Sequence, residues 1–443
     1  MRANTKTIGT LVAAAGGLAL PGLGAGVALA QDCGWESIDA SVRPYAEWRR
    51  QLVVYDDGSG PALYVSAGTL RAGGEYFGSI GRFDGNSWSA VGDLGEAWIS
   101  ALDTLDLGDG TRLYAAVSDS SSSTIHVLDG DTWVPFGPEL DGVARWLVAF
   151  DDGSGPMLYA AGDISTSIDD QRVNGVARLE DGAWAGFGAT GRFDGVLGLV
   201  HDLEVFDDGN GPALYLAGDG IRPDDPTVER GMIRWDGDSF STVEGSPPYV
   251  VRDMLVFDDG DGEALYVGGR LGFPGSYDAG VARWDGSTWT VLGEGFEQDV
   301  LSLTSFDRGD RPALYAAGWF EEIGGQPIEG IARWDGVAWR PFEESVGGSV
   351  VVIEGWDDGD LRGLYAVGGS EFIGGEFVGL LPRWPGCLTC RADLDSDGEL
   401  TIFDFLAFTN LFDAGLPSAD FDGDGELTIF DFLAFQDEFD AGC

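Results

Sequence analysis

The sequence predicts an all-β fold built from repeated four-stranded units, followed by a small α-helical module. Two phrases recur about every 50 residues and define the units. The first phrase ends in a tyrosine, at Tyr64, Tyr114, Tyr159, Tyr215, Tyr266, Tyr315 and Tyr365. The second phrase ends, in the first six repeats, at Trp88, Trp133, Trp184, Phe240, Trp289 and Trp339. An acidic loop that occurs twice after residue 390, each time before an apolar segment, predicts the helical module.

Each repeat divides into four short strands, as the fifth repeat illustrates. Its predicted strands, innermost first, are Val251–Phe257, Ala264–Gly268, Gly280–Trp284 and Trp289–Leu292. Asp285-Gly286 predicts a type I′ hairpin between the last two strands, because that turn needs positive φ at both central positions. Four strands at this period are typical of a propeller blade. The sequence therefore predicts a seven-bladed β-propeller of four-stranded blades.

The seventh repeat is incomplete, because the chain turns away at Cys387 before a fourth strand. Residues 34–38 resemble the missing strand, so the N-terminus is predicted to complete the last blade and close the ring. Closure would bring Cys33 close to Cys387 and Cys390. A disulfide from Cys33 to one of these two cysteines is one prediction, and a local Cys387–Cys390 bond is the alternative.

The N-terminus has the pattern of a secretory signal peptide. Arg2 and Lys6 precede an apolar stretch that ends in the small-x-small cleavage site at residues 28–30, and a membrane anchor is the alternative interpretation. No later apolar stretch of about 18 residues exists, so no membrane span is expected after cleavage. We expect a secreted protein, extracellular or attached to a cell surface. Its predicted domains are a signal peptide at 1–30, the propeller at 31–390 and the C-terminal module at 391–443.

The charge of the chain limits its partners. Acidic residues number 75 and basic residues 25, which gives a formal net charge of −50. Such a charge repels nucleic acid and anionic lipid, so neither is expected as a partner. It suits solubility in a salty or calcium-containing medium, or the binding of cations. Hydrophobic residues make up 44% of the chain, enough for a packed interior.

Two acidic loops near the C-terminus have the spacing of calcium-binding loops. An EF-hand loop supplies oxygen ligands from positions 1, 3, 5, 7, 9 and 12, and glycine at position 6 allows its sharp bend. Gly398 and Gly425 hold position 6 here. The predicted ligands are Asp393, Asp395, Asp397, Glu399 (through its carbonyl), Thr401 and Asp404, and in the second copy Asp420, Asp422, Asp424, Glu426 (through its carbonyl), Thr428 and Asp431. The sequence therefore predicts two Ca²⁺ sites.

A helix is predicted after each loop, over 402–412 and 429–439, and no helix before it. These are therefore half-EF-hands, with aspartate in place of the usual glutamate at position 12. Apolar residues at helical spacing, Phe405, Leu406 and Phe412 in one copy and Phe432, Leu433 and Phe439 in the other, are predicted to form one face on each helix. One short helix cannot bury such a face, so the two copies should pack together, and calcium would then stabilise the fold.

The propeller segment resembles Kelch-type repeats. The glycine doublets at 73–74, 324–325 and 374–375, the tyrosine and tryptophan of each repeat and the period carry this resemblance, although the doublets follow the tyrosine instead of preceding it. The repeated tyrosines and tryptophans are predicted to pack between blades, and the repeated Asp-Asp-Gly segments to form Asx turns.

The C-terminal segment resembles a dockerin, with two loop–helix copies and aspartate at position 12 of each loop. The ending Gly442-Cys443 is similar to the Gly-Cys-terminated dockerin-like tails of planctomycete-type secreted proteins. The resemblance implies binding to a cohesin-like domain, or to another scaffold or surface protein. It also makes Cys443 a candidate for covalent attachment, with an intermolecular disulfide as the alternative.

Three functions are compatible with the sequence: a non-catalytic binding or display protein, an enzyme acting on polysaccharide (a lyase or glycoside hydrolase), and a structural surface component. No catalytic or cofactor motif occurs, and His126 lies in a predicted third strand and His201 just before a predicted first strand. We therefore expect a binding or display protein that is not an enzyme. A polysaccharide or protein ligand is expected at the variable loops 164–174, 221–229, 273–278 and 319–326, where the candidates for stacking on sugar rings are Trp319, Phe320, Phe273 and Tyr277.

Overall fold

Antiparallel four-stranded units make up most of the described part of this computed structural model; three of them are separate sheets, and four are joined in pairs as two eight-stranded sheets. The strands of the first four repeats run over Leu52–Asp56, Pro61–Ser66, Ile80–Phe83, Trp88–Ala90; Trp98–Asp106, Thr111–Ser118, Ser122–Asp129, Thr132–Pro135; Leu140–Asp151, Pro156–Ile168, Gln171–Glu180, Ala183–Ala185; and Val196–Asp207, Pro212–Pro223, Ile233–Trp235, Phe240–Thr242. Those of the fifth and sixth repeats run over Val250–Asp258, Glu263–Arg270, Ala279–Trp284, Trp289–Val291; and Val300–Asp307, Pro312–Gly318, Ile331–Trp334, Trp339–Pro341. The four strands predicted in the fifth repeat are confirmed to within two residues at each end.

The structure describes the following residues: 35–38, 40–43, 52–66, 69–72, 75–95, 97–168, 171–186, 196–223, 232–260, 262–272, 279–293, 295–307, 312–342, 348–356, 361–368, 372–373, 376–377, 381–384, 392, 394, 402–413, 419, 421 and 427–441.

The last repeat contributes three strands and takes its fourth from the start of the chain. Its own strands are Val350–Trp356, Gly363–Gly368 and Pro382–Trp384. Glu36–Ser37 pairs antiparallel with the third of them, and Glu36 lies opposite Arg383. Short additional pairings are formed by Ala40–Arg43 with Thr69–Ala72, by Thr69–Ala72 with Glu75–Tyr76, by Glu322–Ile323 with Gln326–Pro327, and by Phe372–Ile373 with Glu376–Phe377.

The repeats pack side by side around an axis. From the first repeat to the seventh, the innermost strand of each lies against the innermost strand of the next. A separate hydrophobic cluster joins the seventh repeat to the first, and in it Leu52 and Leu63 pack with Val352 and Val367. Repeated sheets arranged in this way form a β-propeller, so the predicted propeller fold is confirmed.

The Asp-Asp-Gly segments connect the first and second strands of the repeats. In the first repeat, Asp56 Oδ1 accepts the backbone N–H groups of Gly58 at 2.8 Å and Gly60 at 3.0 Å. The same two hydrogen bonds recur at Asp151, Asp207 and Asp258, and also at Asp106, where the segment is Asp-Leu-Gly. Gly58 has φ +95°, which a residue with a Cβ rarely adopts. The predicted Asx turns are therefore confirmed.

The second aspartate of the segment has a different role, seen in the first, third and fifth repeats at Asp57, Asp152 and Asp259. In the first repeat, Asp57 Oδ2 accepts the hydroxyl hydrogen of Tyr64 at 2.9 Å and lies 3.3 Å from Arg82 Nε. Burial, followed by the hydrogen bond to Asp57, raises the pKa of the Tyr64 hydroxyl well above its ordinary value. All seven repeated tyrosines are at most 1% exposed, so they are packing residues, as predicted.

The hairpin between the third and fourth strands of the fifth repeat differs from the predicted type I′ turn. Trp284 pairs with Trp289, which places Gly286 and Ser287 at the centre of the turn instead of Asp285 and Gly286. Of these two central residues, only Gly286 has a positive φ, +93°, as in a type II′ turn. Asp285 precedes the turn, and its Oδ1 accepts the N–H groups of Ser287 and Thr288.

The C-terminal segment contains two helices, α1 (Ile402–Asp413) and α2 (Ile429–Ala441). Phe408 of α1 and Phe435 of α2 are 2% and 1% exposed, and their rings stack with centroids 4.5 Å apart. The predicted packing of the two copies is therefore confirmed. The predicted inward position of Leu406 and Leu433 is wrong: they are 49% and 47% exposed. Positions 405, 408 and 412 share one face of a helix, and 406 is rotated away by about 100°.

Among the described residues, no helix is both long enough and apolar enough to cross a bilayer.

Candidate functional site

The two aspartates at position 12 of the predicted calcium loops occupy equivalent places in the structure. Asp404 lies in the first turn of α1 and Asp431 in the first turn of α2. Both are 0% exposed, although each is an acidic residue that water would solvate well. The cost of burying a carboxylate must be compensated by hydrogen bonds or by a cation, so this burial indicates that the fold supplies such partners to both aspartates.

The carboxylate of Asp431, in the first turn of α2, accepts hydrogen bonds from the second loop. Its Oδ1 accepts the backbone N–H of Phe421 at 2.8 Å, and its Oδ2 accepts that of Thr428 at 2.6 Å. The hydroxyl of Thr428 accepts the N–H of Phe430 at 3.1 Å, which completes a capping arrangement at the start of α2. Positions 2, 9 and 12 of the loop are thereby held together.

This arrangement fits a calcium loop. Each carboxylate oxygen has two lone pairs, so Asp431 can accept its two N–H groups and still coordinate a cation. Asp404, Thr428 and Asp431 are the predicted ligands that the structure describes. The other predicted ligands lie outside the described residues: Asp393, Asp395, Asp397, Glu399, Thr401, Asp420, Asp422, Asp424 and Glu426. If calcium binds, these oxygens would hold it and would neutralise the negative charge that the loops concentrate.

A cavity of about 300 Å³ lies along the axis of the propeller, lined by innermost strands of five of the repeats. Its polar wall includes Asp103, Asp253, Glu354 and Thr304. Asp253 Oδ2 accepts the N–H of Leu303 in the next repeat at 2.6 Å. The cavity is therefore acidic, and at least one of its carboxylates also links adjacent repeats.

Four aromatic residues were proposed for stacking on sugars, and the two that the structure describes differ in their exposure to solvent. Trp319 is 46% exposed, as that role requires. Phe320 is only 1% exposed and packs against Phe296 with ring centroids 4.8 Å apart, so its predicted role is wrong. The loop folds back on the preceding connection and thereby buries this ring. Phe273 and Tyr277 lie outside the described residues.

The two histidines lie in strands. His126 is in the third strand of the second repeat, as predicted, and burial lowers the pKa of its imidazole. His201 was expected just before the innermost strand of the fourth repeat but lies within it. Its Nε2 is 3.2 Å from Nη1 of Arg252 in the next repeat. The cysteines Cys33, Cys387, Cys390 and Cys443 lie outside the described residues, so their pairing stays a prediction.

Sequence reasoning missed the polar residues of the innermost strands. Asp202 is 0% exposed, and its Oδ2 accepts the N–H of Met254 in the next repeat at 2.6 Å. Asp253 occupies the same place one repeat later and makes the same bond to Leu303. Alignment of the repeats on their tyrosines would have revealed these aspartates, because they stand where the third repeat has Trp146.

Comparison with known proteins gives weak structural likenesses. Neither a protein-family model nor a curated protein sequence matches the chain. Among solved structures, Kuenenia stuttgartiensis hydrazine synthase is similar with a TM-score of 0.39 and 12% identity, over 75% of this chain and 96% of that one. YCF48 bound to a D1 peptide is similar with a TM-score of 0.33 and 15% identity, over 67% of this chain and 98% of that one. The fold assignment depends on the strand pairing and packing within this chain.

Proposed function

We propose that this is a secreted, non-catalytic binding or surface-display protein, attached through a calcium-dependent tail. The observation that carries the proposal is the burial of Asp404 and Asp431, each 0% exposed at the final ligand position of its loop. Their helices pack through the stacked rings of Phe408 and Phe435. A duplicated oxygen-rich loop ahead of each packed helix is the arrangement expected of two half-EF-hand calcium sites.

The propeller is proposed to act as the scaffold that presents a binding surface. We infer seven Kelch-like blades, the last of them completed by the strand at Glu36–Ser37, which pairs with Pro382–Trp384. Strand exchange of this kind covers the edge of the third strand of the last blade and resists opening of the ring. A disulfide from Cys33 to Cys387 or Cys390 would lock the same closure.

The tail is proposed to be dockerin-like. Its partner would be a cohesin-like domain or another surface scaffold protein, bound by the helical pair once calcium has ordered the loops. A signal peptide at 1–30 would deliver the chain to the cell exterior, and Cys443 would be available for attachment there. Polysaccharide or protein ligands would then be held by the propeller at the surface.

Calcium titration of the full chain tests the proposal. Isothermal titration after removal of calcium with a chelator should show two sites, and the D404A/D431A variant should lose both. Thermal unfolding of the tail should shift upward with calcium in the parent chain and stay unchanged in the variant. The proposal is wrong if the parent chain takes up no calcium, or if D404A/D431A binds it as well as the parent.

The axial cavity favours a second candidate function, that of an extracellular polysaccharide lyase or glycoside hydrolase. Asp103, Asp253 and Glu354 line one space of about 300 Å³, and paired carboxylates are the usual acid–base groups of such enzymes. Reducing-end and unsaturated-product assays on a polysaccharide panel test it. Turnover that is lost in D103N or E354Q would establish the enzyme and reject the non-catalytic proposal.

A further inference from the structure

One position of the repeat changes chemistry from blade to blade. The residue four places after the repeated tyrosine lies at the end of the second strand or within its extension, where the chain leaves for the third strand. In the third to sixth repeats this rim position is exposed and holds Asp163, Asp219, Arg270 and Trp319, whereas the second repeat has the buried Ser118. The packing tyrosine is the same in these repeats, and the residue type changes at this exposed position. Such variation is typical of positions that contact other molecules.

Arg270 and Trp319, from adjacent repeats, are joined through Asp299. The carboxylate Oδ1 of Asp299 lies 2.8 Å from Arg270 Nη2, and its backbone oxygen accepts the N–H of Trp319 at 3.2 Å. Asp299 is only 3% exposed. It stands at the beginning of the innermost strand, where three earlier repeats, aligned on their tyrosines, have the apolar residues Val143, Leu199 and Val250. A buried charge that breaks an apolar repeat position needs a reason beyond packing.

A second arginine completes this group. Arg252 Nη2 donates to Oδ2 of Asp299 at 3.4 Å, and Arg252 Nη1 is 3.2 Å from Nε2 of His201. Arg252 is thus positioned by the repeats on either side of it. We name Arg252, Arg270, Asp299 and Trp319 the Asp299 cluster.

The Asp299 cluster has an excess of positive charge. Two guanidinium groups face one carboxylate, whereas the repeated third-strand arginines have acids of their own turns, as in Arg82 with Asp57 and Arg234 with Asp208. The side chain of Arg270 is 59% exposed, so several of its N–H donors face solvent. Because the chain has a net charge of −50, most of its surface repels an anion. An anionic ligand can therefore bind only where positive charge is in local excess, as at this cluster.

We propose that the Asp299 cluster binds a saccharide that carries a carboxylate, with Trp319 stacking on a sugar ring and Arg270 pairing with the acid. The guanidinium fork matches the planar geometry of a carboxylate, and an indole face packs on the apolar face of a sugar. This inference rests on the proposed binding role of the propeller and names its ligand class.

Acidic neighbours restrict the ligand further. Glu297 and Glu321 are both exposed, and Glu297 Oε1 accepts the N–H of Glu321 at 3.0 Å, which places a carboxylate beside the chain that follows Trp319. A second anionic group on the saccharide would be repelled there. The ligand is therefore a saccharide with isolated carboxylates, such as a neutral backbone bearing single uronate units, and not a dense polyuronate.

The test is calorimetric titration of the full chain, with calcium present, against two matched oligosaccharides. One is a xylan oligosaccharide with a single glucuronate branch, and the other is the same xylan backbone without it. The parent chain should bind the branched form about tenfold more tightly or better. R270A and W319A should each weaken that binding about tenfold. R340A is the matched control, because Arg340 is 61% exposed and paired with Asp335, and it should change affinity by less than about twofold.

The outcomes separate this inference from the proposed function. Equal affinity for the two oligosaccharides, or equal loss in R270A and R340A, overturns the carboxylate assignment and leaves a binding propeller in place. Binding of neither oligosaccharide overturns the saccharide assignment, and so does binding of an acidic peptide that depends on Arg270 in place of the saccharide. The calcium titration of D404A/D431A reports on the tail independently. Thermal unfolding of R270A and W319A, both changed at exposed positions, verifies that the variants are folded.

Discussion

The indole N–H of Trp88 donates to the backbone oxygen of Ile38 at 2.7 Å, joining the first repeat to the N-terminal segment. Equivalent bonds join later repeats at similar lengths, for Trp133 to Val91, Trp184 to Pro138, Trp289 to Glu244 and Trp339 to Leu292. Those later acceptors lie one to three residues beyond the fourth strand of the preceding repeat. Ile38 follows Glu36–Ser37 by one residue, so it takes the same place for the last repeat.

Removal of this indole donor should weaken ring closure. W88F keeps an aromatic side chain at this position but leaves the backbone oxygen of Ile38 without the indole donor. We expect this loss to lower the free energy of unfolding by about 0.5–1.5 kcal/mol. Urea unfolding followed by tryptophan fluorescence measures it. W133F, which removes the equivalent bond to Val91, should cost about the same. A negligible loss for W88F beside a clear loss for W133F would show that the N-terminal segment does not act as a blade strand.

Innermost strands of adjacent repeats are also joined by hydrogen bonds from a backbone N–H to an aspartate side chain. Asp202, which is 0% exposed, accepts such a bond. Its two oxygens accept the N–H groups of Leu203 at 2.8 Å and Met254 at 2.6 Å. D202A would leave both donors without this acceptor in the interior, so the free energy of unfolding should fall by about 1–3 kcal/mol. D129A is the control, because the side chain of Asp129 is 74% exposed and should matter by less than about 0.5 kcal/mol. Equal midpoints of urea unfolding for the two variants would refute the structural role.

The predictable part of the fold follows from local spacing. The strands of the fifth repeat and the two helices were predicted nearly to their ends. The patterns that predict them, which are alternating apolar and polar residues, Asp-Gly turns and helical spacing, occur within short runs of consecutive residues. The inward face of α1 was only partly predictable: Phe405 and Phe412 could be assigned to it, but Leu406 could not be excluded until the partner helix was known. Packing against Phe435 selects the face centred on Phe408.

The sites are less predictable because they join residues far apart in the chain. Spacing does not reveal that Arg252 and Arg270 meet the carboxylate of Asp299, or that Phe320 turns inward against Phe296. The signal was present only in a comparison between repeats, where the charge of Asp299 stands at a position that is apolar in all five earlier repeats. In contrast, the loops proposed to bind calcium could be recognised in the sequence, because their candidate ligands come from twelve consecutive residues.

The hairpin aspartates should make stability depend on pH. Backbone hydrogen bonds from Ser87 and Asn86 lower the pKa of Asp84, and hydrogen bonds from Ser287 and Thr288 lower that of Asp285. The unfolded chain then binds more protons, so the stabilisation is present above the ordinary pKa of about 4 and is lost as the pH falls through the folded value.

The double variant D84N/D285N should therefore lose less stability than the parent between about pH 5 and pH 3. Asparagine keeps an oxygen acceptor for the turn but does not titrate. Thermal unfolding as a function of pH measures the difference, and the general repulsion of a chain with net charge −50 is nearly the same in both proteins. D84A/D285A lacks the acceptor and should be less stable at pH 7 as well. Parallel curves for the parent and D84N/D285N would contradict the assignment.

The stacked phenylalanines of the tail provide the last prediction. Phe435 is 1% exposed, and its ring also meets Phe421 in the second loop with centroids 5.3 Å apart, so it connects both helices to the second of the proposed calcium loops. F435A should cost the module about 3–5 kcal/mol, which is enough to unfold it while the propeller stays intact. Phe430 lies in the same helix but is 63% exposed, so F430A should cost less than about 0.5 kcal/mol.

Hydrogen–deuterium exchange on the full chain, with calcium present, measures each segment separately. In F435A, amides of α1 and α2 should exchange fast while strands such as Glu263–Arg270 stay protected, and in F430A all segments should match the parent. Because each predicted calcium loop ends in the first turn of its helix, F435A should also weaken calcium uptake although it removes no oxygen ligand. Unchanged exchange and unchanged calcium affinity in F435A would mean that the helical pair and the ion sites do not form one cooperative unit.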